Sequence, residues 1–236
     1  MKKVFVFGFL LLFIFNGYSS ISIFDIDSRV LRSEKRRTDF ALGLFGGLNS
    51  SKFVFIQSTG QQDKNYDYIT GSNYGINLVI ASGFHQFRPE ISFHKGGAKY
   101  IGPDNNHALY QTSYVNVNFG YLLNIIRSRY DFMGAGNAAP YSIRIGVLVG
   151  FNYMLNGTQT INDYTEISLI RSDAFSRFDV NTSGILTFGI RLTNLLAFNI
   201  EYRFNYGMLQ IEKDPLQRTH NLNHSFLLAL YHKLDW

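Results

Sequence analysis

The 236-residue sequence predicts an all-β fold, an eight-stranded antiparallel up-and-down transmembrane β-barrel, and three observations carry that expectation. The first is residues 196–206, LAFNIEYRFNY. Leu196, Phe198, Ile200, Tyr202, Phe204 and Tyr206 share one parity, and Ala197, Asn199, Glu201, Arg203 and Asn205 the other. Successive strand side chains point to opposite faces, so this is a strand with one apolar face and one polar, charged face. At a tilt near 45°, about eleven residues cross a bilayer's hydrocarbon layer. The second is rhythm: seven further stretches repeat the alternation, joined by connections that run long, short, long, medium, long, short, long. Outer-membrane barrels keep short turns and both termini on the periplasmic side and long loops outside. The third is volume. The alternating faces carry roughly forty large apolar residues, whereas an eight-stranded barrel encloses only about a dozen packed side chains. That excludes a soluble barrel with its apolar face inward and turns that face to lipid.

The first strand, 39–49, sets Phe40, Leu42, Leu44 and Leu48 against Ala41, Gly43, Phe45 and Gly47. The second, 73–84, sets Tyr74, Ile76, Leu78 and Ile80 against Gly75, Asn77, Val79 and Ala81. In the third, 87–96, Phe87, Pro89, Ile91 and Phe93 oppose Arg88, Glu90, Ser92 and His94. Pro89 is tolerated near a strand start, where no ladder donor is needed. The fourth, 110–123, pairs a Val115, Val117, Phe119, Tyr121, Leu123 face with Tyr114, Asn116, Asn118 and Gly120. The fifth, 141–153, alternates Tyr141, Ile143, Ile145, Val147, Val149, Phe151 and Tyr153 with Ser142, Arg144, Gly146, Leu148, Gly150 and Asn152. The sixth is 178–192, the seventh 196–206, and the eighth 220–236. Loops are expected at 50–72, 97–109, 154–177 and 208–219. The connection 124–140 is the misfit, longer than a periplasmic turn requires.

Ahead of the barrel, Lys2 and Lys3 precede the apolar run VFVFGFLLLFIF and then small and polar residues to Ser22. This is the three-part form of a secretory signal peptide, too short to span a membrane as a helix. Residues 1–22 are the expected signal, cleaved after Ser19 or, preferably, Ser22. Residues 23–38 are expected to form a basic periplasmic arm, and 39–236 the barrel. The chain has no cysteine, which excludes disulfides and thiolate chemistry. Its formal charge of +5 falls to +3 when Lys2 and Lys3 leave, with 20 basic against 17 acidic residues. That balance gives no nucleic-acid footprint. Aromatics near strand ends, among them Tyr74, Phe84, Phe87, Tyr121, Tyr141, Phe151, Tyr153, Phe178, Tyr206 and Trp236, suit interfacial girdles.

The segments Gly46-Gly47-Leu48-Asn49, Arg88-Pro89-Glu90-Ile91-Ser92-Phe93-His94-Lys95-Gly96-Gly97-Ala98 and Glu201-Tyr202-Arg203-Phe204-Asn205-Tyr206-Gly207-Met208 resemble those of a Bacteroidota outer-membrane β-barrel family that includes the PorT-like proteins. The resemblance runs in order along the mature chain. It implies an outer-membrane barrel, and its motifs specify a fold more than an activity.

The predicted inward face carries Arg88, Glu90, His94, Arg144, Arg191, Glu201 and Arg203. Glu90 and Glu201 are expected to pair with Arg144 and Arg203 in a salt-bridged plug, because unpaired buried charge is strongly unfavourable. The competing reading is a proton or ion pathway. Lys233 is placed near the open end, where it should matter little. Six histidines show no metal-ligand spacing: on a strand, His220 and His224 would stand about 13 Å apart. No metal or cofactor is expected. A rim hydrolase would need an acid beside a histidine, and Asp104 with His107 or Asp214 with His220 are the nearest sequence neighbours. Such neighbours arise by chance in polar loops, so the expectation is non-enzymatic. It is a structural or adaptor barrel of the cell envelope, with a small solute or ion channel as the alternative. The expected partners are outer-membrane lipid and a periplasmic or envelope protein docked on Arg29, Arg32, Lys35, Arg36, Arg37, Arg127 and Arg129. The barrel itself is expected to be monomeric.

Overall fold

The computed structural model describes residues 38–57, 66–82, 84–102, 107–126, 141–162, 165–213 and 217–234. The expected signal, the basic arm with Arg29 to Arg37, and Arg127, Arg129 and Trp236 lie outside the described residues. Ten strands follow in order: β1 (Thr38–Gln57), β2 (Tyr66–Asp67), β3 (Ile69–Ser82), β4 (His85–Ile101), β5 (His107–Ile126), β6 (Tyr141–Ile161), β7 (Thr165–Ser168), β8 (Phe178–Arg191), β9 (Leu196–Gly207) and β10 (Gln217–Leu234).

Eight of them close a ring in the order β1, β3, β4, β5, β6, β8, β9, β10, every pair antiparallel, with β10 hydrogen-bonded back to β1. The two short strands extend the wall at one rim, β2 on β4 and β7 on β6. Following paired residues once round the ring leads from Phe40 through Ile80, Phe87, Tyr121, Val147, Gly184, Phe204 and His224 to Ser50. The path returns to β1 ten residues beyond its start. A shear of ten over eight strands, with about 3.3 Å per residue and 4.8 Å between strands, tilts the strands by roughly 40°. Closure satisfies the backbone within the protein, as a membrane span requires.

The faces divide as the alternation predicts. Outward stand Leu44 (59% exposed), Leu48 (65%), Val147 (54%) and Phe226 (63%), within a belt of Leu, Ile, Val and Phe from every strand of the ring. Inward, asparagine, serine and small residues are buried together with a few large side chains. This is an eight-stranded antiparallel transmembrane β-barrel.

The observed strands overrun the expected ones at one rim. β1 continues to Gln57 rather than ending at 49, and β4 and β5 pair up to Ile101 and His107. β6 runs on to Ile161 through the expected loop 154–177. Above the lipid a strand loses its apolar outer face and with it the period-2 signal, while the backbone ladder continues. One irregularity attends this: Tyr114 pairs with Met154 but Ser113 with Asn156, so Leu155 is the extra residue of a bulge. At the opposite rim, connections are short where they are described. Thr193 Oγ1 accepts the amides of Leu195 (3.2 Å) and Leu196 (3.0 Å) and so closes the β8–β9 turn.

A closed ring with a lipid-facing belt resists detergent until heated. The unboiled protein should migrate differently from the boiled one on SDS gels; identical mobility, or release into the soluble fraction without detergent, would overturn this architecture.

Candidate functional site

The lumen is filled in four levels. Near the rim that holds both Thr38 and Leu234, Ala41, Val79, Ala81, Ala197, Ala229 and Tyr231 pack together, with Leu122, Leu148 and Ile185 beside them. Glycine makes the room. A Cβ on Gly43 would come within 2.3 Å of Asn77 Oδ1 and 2.5 Å of the Tyr231 ring, and one on Gly189 within 2.3 Å of Arg144 Nη2.

Above this level sits a closed square of charge. β4 and β9 are four steps apart either way round the ring, so they face each other across it, and both run in the same direction. β4 presents Arg88 and then Glu90; β9 presents Glu201 and then Arg203. An R-x-E wall therefore meets an E-x-R wall. Arg88 donates to both carboxylate oxygens of Glu201 (2.6 and 3.1 Å), and Arg203 to both of Glu90 (2.5 and 3.0 Å). The sides close along the strands, through Arg203 Nε to Glu201 and Arg88 Nε to Glu90 at 3.6 Å. Thr187 Oγ1 donates to Glu201 (3.1 Å) and Asn118 Nδ2 to Glu90 (2.9 Å), which brings each carboxylate close to its acceptor capacity. The Arg203 guanidinium also lies 4.7 Å over the Phe45 ring. All four charged residues are at most 3% exposed.

The expected pairing needs one correction. Arg88, not Arg144, makes the bidentate pair with Glu201. Arg144 shares a register line with Glu201 through Thr187, but that line descends the tilted wall and places it roughly 6 Å closer to the terminal rim. There it bonds Gln86 (3.2 Å), Ser142 (3.1 Å) and Asn199 (3.0 Å). Lys233 is likewise no solvated end residue: it pairs with Asp39 at 3.1 Å, both largely buried, across the β1–β10 seam. Arg191 ends β8 and is half-buried.

The third level is a polar chamber lined by Asn49, Asn73, His94, Asn116, Asn181 and Arg203, among others, with room for about one water molecule. His94 stands here rather than in the square, bonded to Asn116 (2.7 Å) and stacked on Tyr114 at 5.0 Å. The fourth level is an aromatic cap. The chain after β7 and after β9 folds over the far rim, burying Leu169, Phe175 and Ile211 against Phe53, Ala98, Tyr114 and Met154. Amide bonds from Met154 to Arg177 O (2.7 Å) and from Ser176 to Ile211 O (2.6 Å) hold it down. Sequence reasoning missed this cap, because buried Leu169, Phe175 and Ile211 stand singly in polar stretches. It also missed Asp179, which accepts from the Leu209 amide (3.2 Å) and Asn221 (3.1 Å).

Among the described residues no three metal-ligating side chains cluster. Asp104 and Asp214 lie outside the described residues, while His220 faces outward and bonds Gly207 O at 3.1 Å.

No protein-family model matches the sequence, and no curated protein matches it. Solved structures similar to it include Neisserial surface protein A, at 10% identity over 83% of this chain and 97% of that one, with a TM-score of 0.48. The attachment invasion locus protein Ail of Yersinia pestis aligns at 9% identity over 83% and 99%, with a TM-score of 0.39. The outer membrane protein OprG of Pseudomonas aeruginosa aligns at 13% over 85% and 98%, with a TM-score of 0.38. The barrel assignment rests on the closed ring itself.

The charge square generates a paired test. Glu201→Ala leaves Arg88 and Arg203 buried without their shared acceptor and should lower stability by about 3–5 kcal/mol in urea unfolding of the micelle-bound barrel. Replacing all four at once (R88M, E90L, E201L, R203M) should recover most of the loss, since well-packed apolar groups substitute for a buried ion network. A Glu201→Ala midpoint equal to the unmutated protein's would show that the square carries no stability.

Proposed function

We propose that this chain is a non-enzymatic outer-membrane barrel that serves as a structural or adaptor component of a Gram-negative envelope, in the manner of the PorT-like barrels its sequence resembles. The observation that carries this reading is the filled lumen. An apolar layer, a neutral square of two Arg and two Glu, an asparagine chamber and an aromatic cap follow one another along its axis. A channel needs a continuous hydrated path, and a side-chain-filled barrel offers none. A barrel without a pore acts through its rims. Thr38, Leu234, the end of β5 and the start of β6 share one rim, and in this reading that rim is periplasmic, which assigns the sequence before β1, with Arg29 to Arg37, and that between β5 and β6, with Arg127 and Arg129, to the periplasm. Clustered Arg and Lys attract anionic protein surfaces through salt-sensitive contacts, which suits docking to a periplasmic partner.

Planar-bilayer recordings should show no steady conductance from the unmutated protein; a stable open level would favour the solute channel instead. A photo-crosslinker at position 32 or 127 should give a discrete protein adduct in envelope fractions, weakened when Arg32, Arg36 and Arg37 are changed to Ser. Capture only from the opposite, capped rim would place the adaptor surface outside the cell.

A further inference from the structure

The lipid belt is not level. Converted to height at roughly 2.5 Å per residue along a strand and 3 Å per strand round the ring, the outward faces of β6, β8 and β9 stay apolar to about 30 Å above Phe40. Phe151, Tyr153, Leu155, Phe178 and Met208 occupy that upper zone, all of them exposed. On the other side of the barrel, the same zone is polar apart from Leu222, which is paired with Lys52. β1 shows Ser50 and Lys52, β3 Thr70 and Ser72, β4 Lys95, and β10 His224 and His220.

This side is also ordered. Lys52 Nζ lies 4.6 Å from the Tyr68 ring centroid, the Tyr68 hydroxyl is 3.3 Å from His224 Nε2, and His224 Nδ1 is 2.7 Å from the Tyr202 hydroxyl. The two tyrosines satisfy both ring nitrogens of a histidine that faces lipid between Tyr202 and Phe204. Lys95 is exposed two strands from Lys52 and, lying opposite Ser72, is offset by four residues along β1, so the two backbones stand about 16 Å apart and their extended side chains bracket the space between them. No ion pair among the described residues includes either lysine. Asp67, the one outward carboxylate described on β1 to β4 and β10, stands higher, in register with Lys99.

We propose that this face, centred on Lys52, Lys95 and the Tyr68–His224–Tyr202 cluster, binds the phosphorylated headgroup of an outer-leaflet glycolipid. Two cations at the hydrocarbon edge, with hydroxyls of Ser50, Thr70 and Ser72 between them, match a phosphate flanked by sugar hydroxyls. A headgroup seated there fills the zone where the belt is low and leaves the acyl chains against Leu48, Tyr74 and Phe226. The inference rests on the membrane-spanning reading, whose failure would show separately as loss of heat-modifiable migration.

The test uses the full-length barrel folded into phosphatidylcholine vesicles containing bisphosphorylated lipid A, then extracted for native mass spectrometry. A one-to-one lipid A adduct is expected. It should fall about twenty-fivefold in the K52Q/K95Q variant, roughly fivefold per lysine at a charged surface, and comparably for the unmutated barrel offered dephosphorylated lipid A. Lys213→Gln, an exposed charge in the cap, should leave the adduct unchanged. Equal retention of both lipids, equal retention by K52Q/K95Q, an equal loss in the Lys213 variant, or displacement by millimolar inorganic phosphate would each overturn the proposal. Both lysines sit on the outer face, and gel migration of K52Q/K95Q verifies its fold.

Discussion

Every backbone amide and carbonyl at the depth of the apolar belt must find its partner inside the protein, because hydrocarbon offers none. That constraint forces the ring to close, and closure with a ten-residue shear fixes the height of every side chain relative to every other. The rest of the molecule is a consequence of that geometry. Eight strands leave space only for side chains inside, so the inner face alternates glycine with large residues. Gly43 lies under Tyr231, and Gly189 under Arg144 and Asn199. The outer face, free of volume limits, takes the Leu, Ile and Phe that a soluble barrel would keep inside.

The charge square shows what the geometry can specify. Desolvating four charges is costly, and their mutual attraction repays the cost only when geometry and hydrogen bonds are complete. Here both bidentate pairs form because β4 and β9 are opposite, co-directional and in phase, although Arg88 Nε, 3.6 Å from Glu90, makes no hydrogen bond. The same arrangement checks register. A one-residue slip of β9 would turn Glu201 and Arg203 into lipid, and a two-residue slip in the direction that lowers Arg203 would set it against Arg88. Opposed R-x-E and E-x-R walls thus disfavour the misaligned closures that an alternating apolar pattern alone would accept. The Asp39–Lys233 pair does the corresponding job at the seam, where the first and last strands must find each other.

Within the belt, sequence sufficed: parity named the lipid face of each strand in the ring, and the inward set of Arg88, Glu90, Arg144, Glu201 and Arg203 is inward in the structure. Partner choice was not legible. Strand position along the chain gives height only modulo the shear, and the shear is a property of all eight pairings together. Arg144 and Arg88 therefore look equally placed in sequence and differ by a strand offset in space. Beyond the belt the signal itself disappears. Once both faces of β6 meet water or cap, Asn156 to Ile161 no longer alternates, and Leu169, Phe175 and Ile211 gain their meaning only from Phe53 and Met154, far away in sequence.

A filled lumen moves the question of function from the axis to the surfaces. Along the axis, each level is closed by different side chains, with the Tyr231 layer below the square and the Phe53 cap above it. What remains variable is the rims and the outer wall, and there the protein is asymmetric. One side of the upper wall is apolar to its full height, while the other replaces apolar residues with Lys52, Lys95, His224 and hydroxyls at the same depth. That departure from uniform lipid packing, with Lys52 and His224 held by Tyr68 and Tyr202, is the ground for proposing a headgroup at this edge rather than elsewhere on the wall.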